Sequence, residues 1–165
     1  MKTLLITILT VAFLSSALES AAQVQNQDSD FAKKAADGGM LEVKLGQMAL
    51  KQGESQKVKN YGKMMVDDHS KVNKELMALA KKKKIEIPAD ISSAKKSMID
   101  SLASQSGKSF DMLYMNMMIA SHEETIGLFQ DESAGGKDAD LKKWADSKLP
   151  ALKHHLEMAK QLFEQ

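Results

Sequence analysis

The chain has 165 residues, of which 43% are hydrophobic and 27% charged, with 12 Met, no Cys and a formal charge of +1. Without cysteine neither a disulfide scaffold nor a thiolate zinc site can form. A near-neutral balance, basic residues that are all Lys, and only 5% aromatics leave no footprint for nucleic acid.

Met1-Lys2 opens the chain, followed by an apolar run from Leu4 to Leu14 and then small residues, with Ser20 and Ala22 at −3 and −1 of a cut before Gln23. This three-part layout predicts a signal peptide over 1–22. The run is shorter than the roughly 20 residues needed to cross a bilayer, and no Cys follows it to carry a lipid. The expected mature chain is therefore exported to the periplasm with no transmembrane span. Any outer-membrane association would use neither a barrel nor a lipid anchor.

Residues 23–30 are polar and read as a flexible leader, followed by one domain over 31–165. A first helix is expected from about Phe31 to Gln52, with Asp28-Ser29-Asp30 as N-cap candidates and Gly53 as its stop. A second runs from about Ser55 to Lys84, its Lys81–Lys84 end reading as a solvated C-terminus favoured by the helix dipole. Ile85-Glu86-Ile87-Pro88 makes a connector, because the residue before proline avoids helical geometry. A short helix follows from about Ser92 to Ser104, then Gly107 breaks the chain and a long helix covers about Ser109 to Ser133. Gly135-Gly136 turns the chain again, Asp138 is the N-cap candidate, and the last helix reaches about Phe163 with an expected kink at Pro150. The fold class is all-α: a bundle of four long helices with one short connecting helix.

Steps of three and four residues give each long helix an inward stripe. Each stripe contains one polar residue able to bind a metal: Glu42, His69, His122 and His155. Gly38, Gly39 and Gly46 lie near Glu42, and each glycine inside a helix costs about 1 kcal/mol relative to Ala. Their presence predicts a close approach by a neighbouring helix or by a bound group. Tyr61-x-x-Met64-Met65-Val66-x-x-His69 is echoed by Tyr114-x-x-Met117-Met118-Ile119-x-x-His122 at an offset of 53, placing two histidines in similar surroundings. Counting from the shared turns places Glu42 about 6 Å from the level of His69, and His155 about 9 Å from that of His122, at 1.5 Å per residue. The latter gap is too wide for one compact metal sphere unless tilt or the Pro150 kink closes it.

No Glu-x-x-His pair is present for a bundle di-iron site, and no nucleophile elbow or phosphate loop for catalysis. Two readings follow. The four seam residues are satisfied core groups, with the histidines paired to Glu42, Asp68 or backbone carbonyls. Alternatively they hold a single first-row transition metal ion such as zinc, copper or iron. The sequence favours the former, a non-catalytic binding or envelope- or stress-associated protein, whose partner would be an envelope protein or a second copy.

The stretches Phe31-Ala-Lys-Lys-Ala-Ala-Asp-Gly-Gly-Met-Leu-Glu-Val-Lys-Leu-Gly, Met64-Met-Val-Asp-Asp-His69, Ser106-Gly-x-x-Phe110-Asp-x-x-Tyr114, His122-Glu and Leu149-Pro-x-Leu-x-x-His155-Leu resemble an exported bacterial ferritin-like family. That family is a domain of unknown function often labelled an outer membrane protein. The resemblance covers about 28–164 and implies a ferritin-like bundle in the periplasm, with no established activity. The family's recurring Glu and His positions match Glu42, His69, His122 and His155. Ser121 departs from it, since an acidic or small residue commonly precedes that histidine.

Overall fold

The computed structural model describes the backbone of residues 6–164 and the side chains of 27–164. Met1 to Leu5, where the expected signal peptide begins, lie outside the described residues. Five helices follow one another: α1 (Ile6–Gln52), α2 (Gln56–Lys82), α3 (Ser93–Ala103), α4 (Gly107–Gly135) and α5 (Ala139–Phe163). Among the described residues there is no strand, and no helix is long and apolar enough to cross a membrane.

α1 departs from expectation. It is helical well before Phe31, so residues 27–30, expected as the end of a flexible leader, are helical, and Asp28-Ser29-Asp30 cap nothing in α1. The segment contains no Gly or Pro to break the helix there. Asp28 is buried, and its carboxylate accepts bonds from the backbone N–H groups of Lys137 and Asp138, both at 2.9 Å. Its capping capacity is spent on the α4–α5 turn.

The other helix ends follow local chemistry. Ser55 caps α2 by accepting from the Val58 N–H at 3.1 Å, and Asp138 caps α5 by accepting from Asp140 and Leu141. Asp111, in the first turns of α4, accepts from Glu54 and Ser55 N–H groups and so pins the start of α4 beside the α1–α2 turn. Gly107 begins α4 at a φ of 57°, a left-handed position that glycine occupies without strain. The lysine run is more than a solvated end. Lys83 pairs with Asp138 at 2.6 Å and with Asp140 at 2.8 Å, and Lys82 pairs with Asp140 at 3.0 Å, tying the end of α2 to the start of α5.

α1 packs on α2 and α4, and α5 packs on α4 and more sparsely on α2, so α2 and α4 stand diagonally across the bundle. The α1–α2 crossing is tight because both helices present small residues there. A Cβ on Gly46 would lie 2.7 Å from the Gly62 carbonyl oxygen, and one on Gly62 would lie 2.7 Å from Ala49 Cβ. This is the close approach that the glycines of α1 predict.

The core divides into two apolar clusters. One gathers Leu45, Tyr61, Met65, Phe110, Tyr114 and Met118 toward the α1–α2 turn. The other gathers Phe31, Leu76, Phe129, Leu141 and Leu152 toward the α4–α5 turn. On α2, α4 and α5 the histidine falls between the residues that serve the two clusters. A polar layer thus crosses the bundle at mid-height.

Candidate metal centre

Glu42, His69, His122 and His155 are each at most 4% exposed and meet in that layer, one from each long helix. The ring centroids lie 5.5 Å apart for His69–His122, 5.4 Å for His69–His155 and 5.4 Å for His122–His155. The gap inferred from sequence for His155 does not keep its ring from the other two. α4 continues to Gly135 and α5 begins at Ala139. His122 and His155 then stand 13 and 16 residues from the turn, a mismatch of about 4.5 Å at 1.5 Å per residue. The internal echo has a structural counterpart. Tyr61 and Tyr114 meet edge to face at 6.2 Å, one layer from the pair His69 and His122.

Each imidazole has one nitrogen held from outside. His69 Nδ1 lies 2.8 Å from Glu42 Oε2, a close contact that is not aligned as a hydrogen bond. His122 Nδ1–H donates to the Met118 carbonyl at 2.9 Å, and His155 Nε2–H donates to Asp68 Oδ2 at 3.0 Å. Glu42 is itself fixed by Ser121, whose hydroxyl donates to Oε1 at 2.9 Å, and its Oε1 stands 3.6 Å from His122 Nδ1. Tyr61 donates to the backbone carbonyl of His155 at 3.1 Å.

The remaining nitrogens, Nε2 of His69, Nε2 of His122 and Nδ1 of His155, are buried without a hydrogen-bond partner. Each such group costs about 1–3 kcal/mol when left unpaired. The three histidines can offer one ligand atom each, all within 4.8 Å of one another. Ligands at 2.0–2.1 Å around a tetrahedral ion sit about 3.4 Å apart, so small ring movements would suffice. An outer N–H given to a carboxylate or a carbonyl, with the other nitrogen turned inward, is how proteins orient metal-binding imidazoles. The two readings of the sequence are therefore compatible. The histidines are paired with Asp68, a backbone carbonyl and Glu42 on one side, and still have three lone pairs to offer.

The electrostatics agree with this division. Burial alone would raise the Glu42 pKa, but the charges of His69 and His122, the close approach of the His69 ring and the bond from Ser121 outweigh it and hold it at about 2. Burial works against a charged His69, yet Glu42 and, more weakly, Asp68 win and push its pKa up. For His122 burial prevails over Glu42 and the pKa falls. For His155 burial, helped by repulsion from His69 and His122, brings it down to about 4 against the pull of Asp68. Neutral rings are the form that binds metal.

A cavity of about 40 Å3 adjoins the layer, lined in part by Glu42, Asp68, His69, Asn73 and His155. Asn73 was not singled out in the sequence, although its i+4 spacing from His69 places it on the same face. Nor was Ser121 read as the donor that fixes Glu42. A larger cavity of about 700 Å3 opens at the end of the bundle between Glu54, Val58, Asp111, Met112 and Phe163; no seam residue lines it.

The fold is similar to that of solved structures described as CopM in the Cu(II)-bound form, with a TM-score of 0.71 and 18% identity over 83% of this chain and 95% of that one. CopM in the Cu(I)-bound form gives 0.69 and 18% over 83% and 95%, and CopM in the Ag-bound form obtained by soaking gives 0.68 and 19% over 83% and 94%. No curated protein matches the chain. Residues 14–162 match the family described as a domain of unknown function, DUF4142, and the chain belongs to that family.

Proposed function

We propose that this protein is a periplasmic metal-binding bundle of ferritin-like, up-down architecture, taking one first-row transition ion, copper foremost, on His69, His122 and His155. The observation that carries the reading is the set of three buried imidazole nitrogens left unpaired while the opposite nitrogen of each ring is held. Imidazole suits copper and zinc, and at such sites Cu(II) binds more tightly than the other divalent first-row ions. The resemblance in fold to a protein solved with copper and silver favours copper over zinc or iron. Glu42 stands behind His69 and Asp68 behind His155, as positioning partners. A bound ion would supply positive charge to three lone pairs that nothing else in the core satisfies. The residues do the rest: they orient the rings, keep two of them neutral and exclude bulk water.

The export expected from the N-terminus belongs to the same proposal, with the mature chain beginning at or near Gln23. Intact mass of the protein from the periplasmic fraction tests it, and a chain there that retains Met1 to Ala22 would refute it.

For the metal, protein purified without a histidine tag should bind one equivalent of copper and melt at higher temperature with it. At free metal 100-fold above the dissociation constant the gain is about 2.7 kcal/mol. His69→Leu should abolish the gain. His154→Leu should retain it, since His154 is exposed and about 100° round the helix from His155. An unchanged melting temperature in wild type, or a gain that survives His69→Leu, would overturn the reading.

A further inference from the structure

Of residues 27–30 in α1, only Asp28 is buried; Gln27 and Asp30 are exposed and Ser29 is half-buried. Apolar packing begins at Phe31 and Ala32, which belong to the cluster near the α4–α5 turn. This stretch of α1 is therefore held to the turn chiefly by the Asp28 carboxylate, through its bonds from the Lys137 and Asp138 N–H groups.

Glu132 lies beneath the same turn, 2% exposed and beside Asp28. Its Oε1 has no hydrogen-bond partner. The turn closes tightly over it. The Gly136 N–H donates to the Glu132 carbonyl at 2.8 Å, and a Cβ on Gly136 would lie 2.6 Å from Glu132 Oε1. Two carboxyls in contact in a buried site are compatible when one carries a proton and repel each other when neither does. The other charges facing Glu132 do not relieve that repulsion. Asp138, in the turn, is a third carboxylate and is paired with Lys83 of α2. Lys142 of α5 is a cation, but its ammonium donates to the Ala134 carbonyl at 3.1 Å. Burial, and then the charge of Asp28, raise the Glu132 pKa to about 7, so the proton is lost in an ordinary pH range.

We propose that Asp28, Glu132 and the glycine turn form a proton-operated latch. It fastens residues 27–30 of α1 to the α4–α5 turn while Glu132 is protonated, and lets the two part locally once Glu132 is charged. The histidine layer stays closed, because Glu132 is ten residues beyond His122 on α4, about 15 Å along the axis at 1.5 Å per residue. The backbone of α1 is continuous from Ile6, so the latch sets how firmly the bundle grips the helix that leads into it.

The test is backbone hydrogen exchange of the full mature chain, followed by NMR from pH 6 to 8.5, with the intrinsic rate at each pH divided out. Protection of the Lys137 and Asp138 amides should fall about tenfold over that range, while the amides of Met118 and His122 keep theirs. Glu132→Gln, which keeps an N–H donor for Asp28, should hold protection at the turn constant with pH. Asp28→Asn, which leaves one acceptor oxygen for two N–H groups, should lower it already at pH 6. Turn protection that is constant with pH in wild type would overturn the latch. So would a fall that persists in Glu132→Gln, or one that the Met118 and His122 amides share, which would mark global unfolding.

Discussion

Two buried polar clusters lie in this bundle, and they meet the cost of burial in opposite ways. At mid-height, three imidazoles turn one nitrogen each away to an acceptor and leave the other unpaired. Near the α4–α5 turn, buried Glu132 lies beside the buried carboxylate of Asp28. Burial first, then the charge of Asp28 and a bond shared with it, then Asp138, raise the Glu132 pKa to about 7 despite Lys142. Glu132 is therefore biased toward its protonated form, which eases the repulsion between the two carboxyls. The histidine layer resists that solution, because burial and mutual repulsion hold His155 at about 4 and keep His122 low. Of the three rings only His69, facing Glu42, is favoured in its protonated form, and on the reading proposed above a metal cation serves the lone pairs that protons do not. The contrast lies in what the neighbours permit.

The largest expected effect tests whether Glu42 is the anchor of the layer. Glu42→Leu strands the Ser121 hydroxyl and His69 Nδ1 in a buried site, and should destabilise the metal-free protein by about 3 kcal/mol in urea unfolding. Glu42→Gln, which keeps an acceptor for Ser121, should cost about half as much. A neutral Glu42→Leu would mean that the layer is held from elsewhere.

Asp68 comes next. It is about half exposed, yet it holds the outer nitrogen of His155. Removing such a partner typically weakens metal affinity 10- to 100-fold. Asp68→Ala should show that loss in a copper competition assay, with the melting temperature of the metal-free chain little changed.

The carboxyl pair gives a pH signature with a definite sign. Glu132 has a folded pKa of about 7 against 4.5 as its reference. Its contribution is therefore complete below pH 4.5 and is lost as pH rises through 7. Because the pair adjoins a solvated turn, the loss should be on the order of 1–2 kcal/mol. Glu132→Gln should flatten stability between pH 5 and 8 and be the more stable protein at pH 8. An unchanged slope in that variant would separate the pair from the pH response.

The smallest effect is at Tyr61. Its hydroxyl bonds the His155 carbonyl, and Tyr61→Phe should cost about 1 kcal/mol. If copper affinity falls as well, the bond positions His155 in addition to stabilising the core.

The sequence made much of the seam legible, because an amphipathic period places residues on a face whatever the tertiary contacts. Glu42, His69, His122 and His155 stood out as polar residues in apolar stripes, and Asp68 was among the partners named for the histidines, although the ring it holds is that of His155, 87 residues away. The N-cap at Asp138 was legible for the same local reason. What could not be read was the pairing of remote positions. Asp28 and Glu132 are 104 residues apart, and each alone looks like a solvated carboxylate. The first helix showed a cap signal in Asp28-Ser29-Asp30, but Asp28 is directed to Lys137 and Asp138 across the bundle. Relative heights failed where a turn was misplaced. Two residues more of α4 and a later start to α5 halve the height difference expected between His155 and His122.

The polar layer has one more consequence, for the vertical alignment of the helices. Methionines and leucines on the facing surfaces are long, adaptable and nearly interchangeable, so they would tolerate one helix sliding past another by a turn of about 5.4 Å. Such a slip would carry Glu42 or a histidine out of its layer into an apolar cluster, away from every partner it has, at a cost of several kcal/mol. With one polar residue on each of four helices, all four must stop at the same rung. The layer acts as a register lock in a core whose apolar residues alone would leave the helices free to slide.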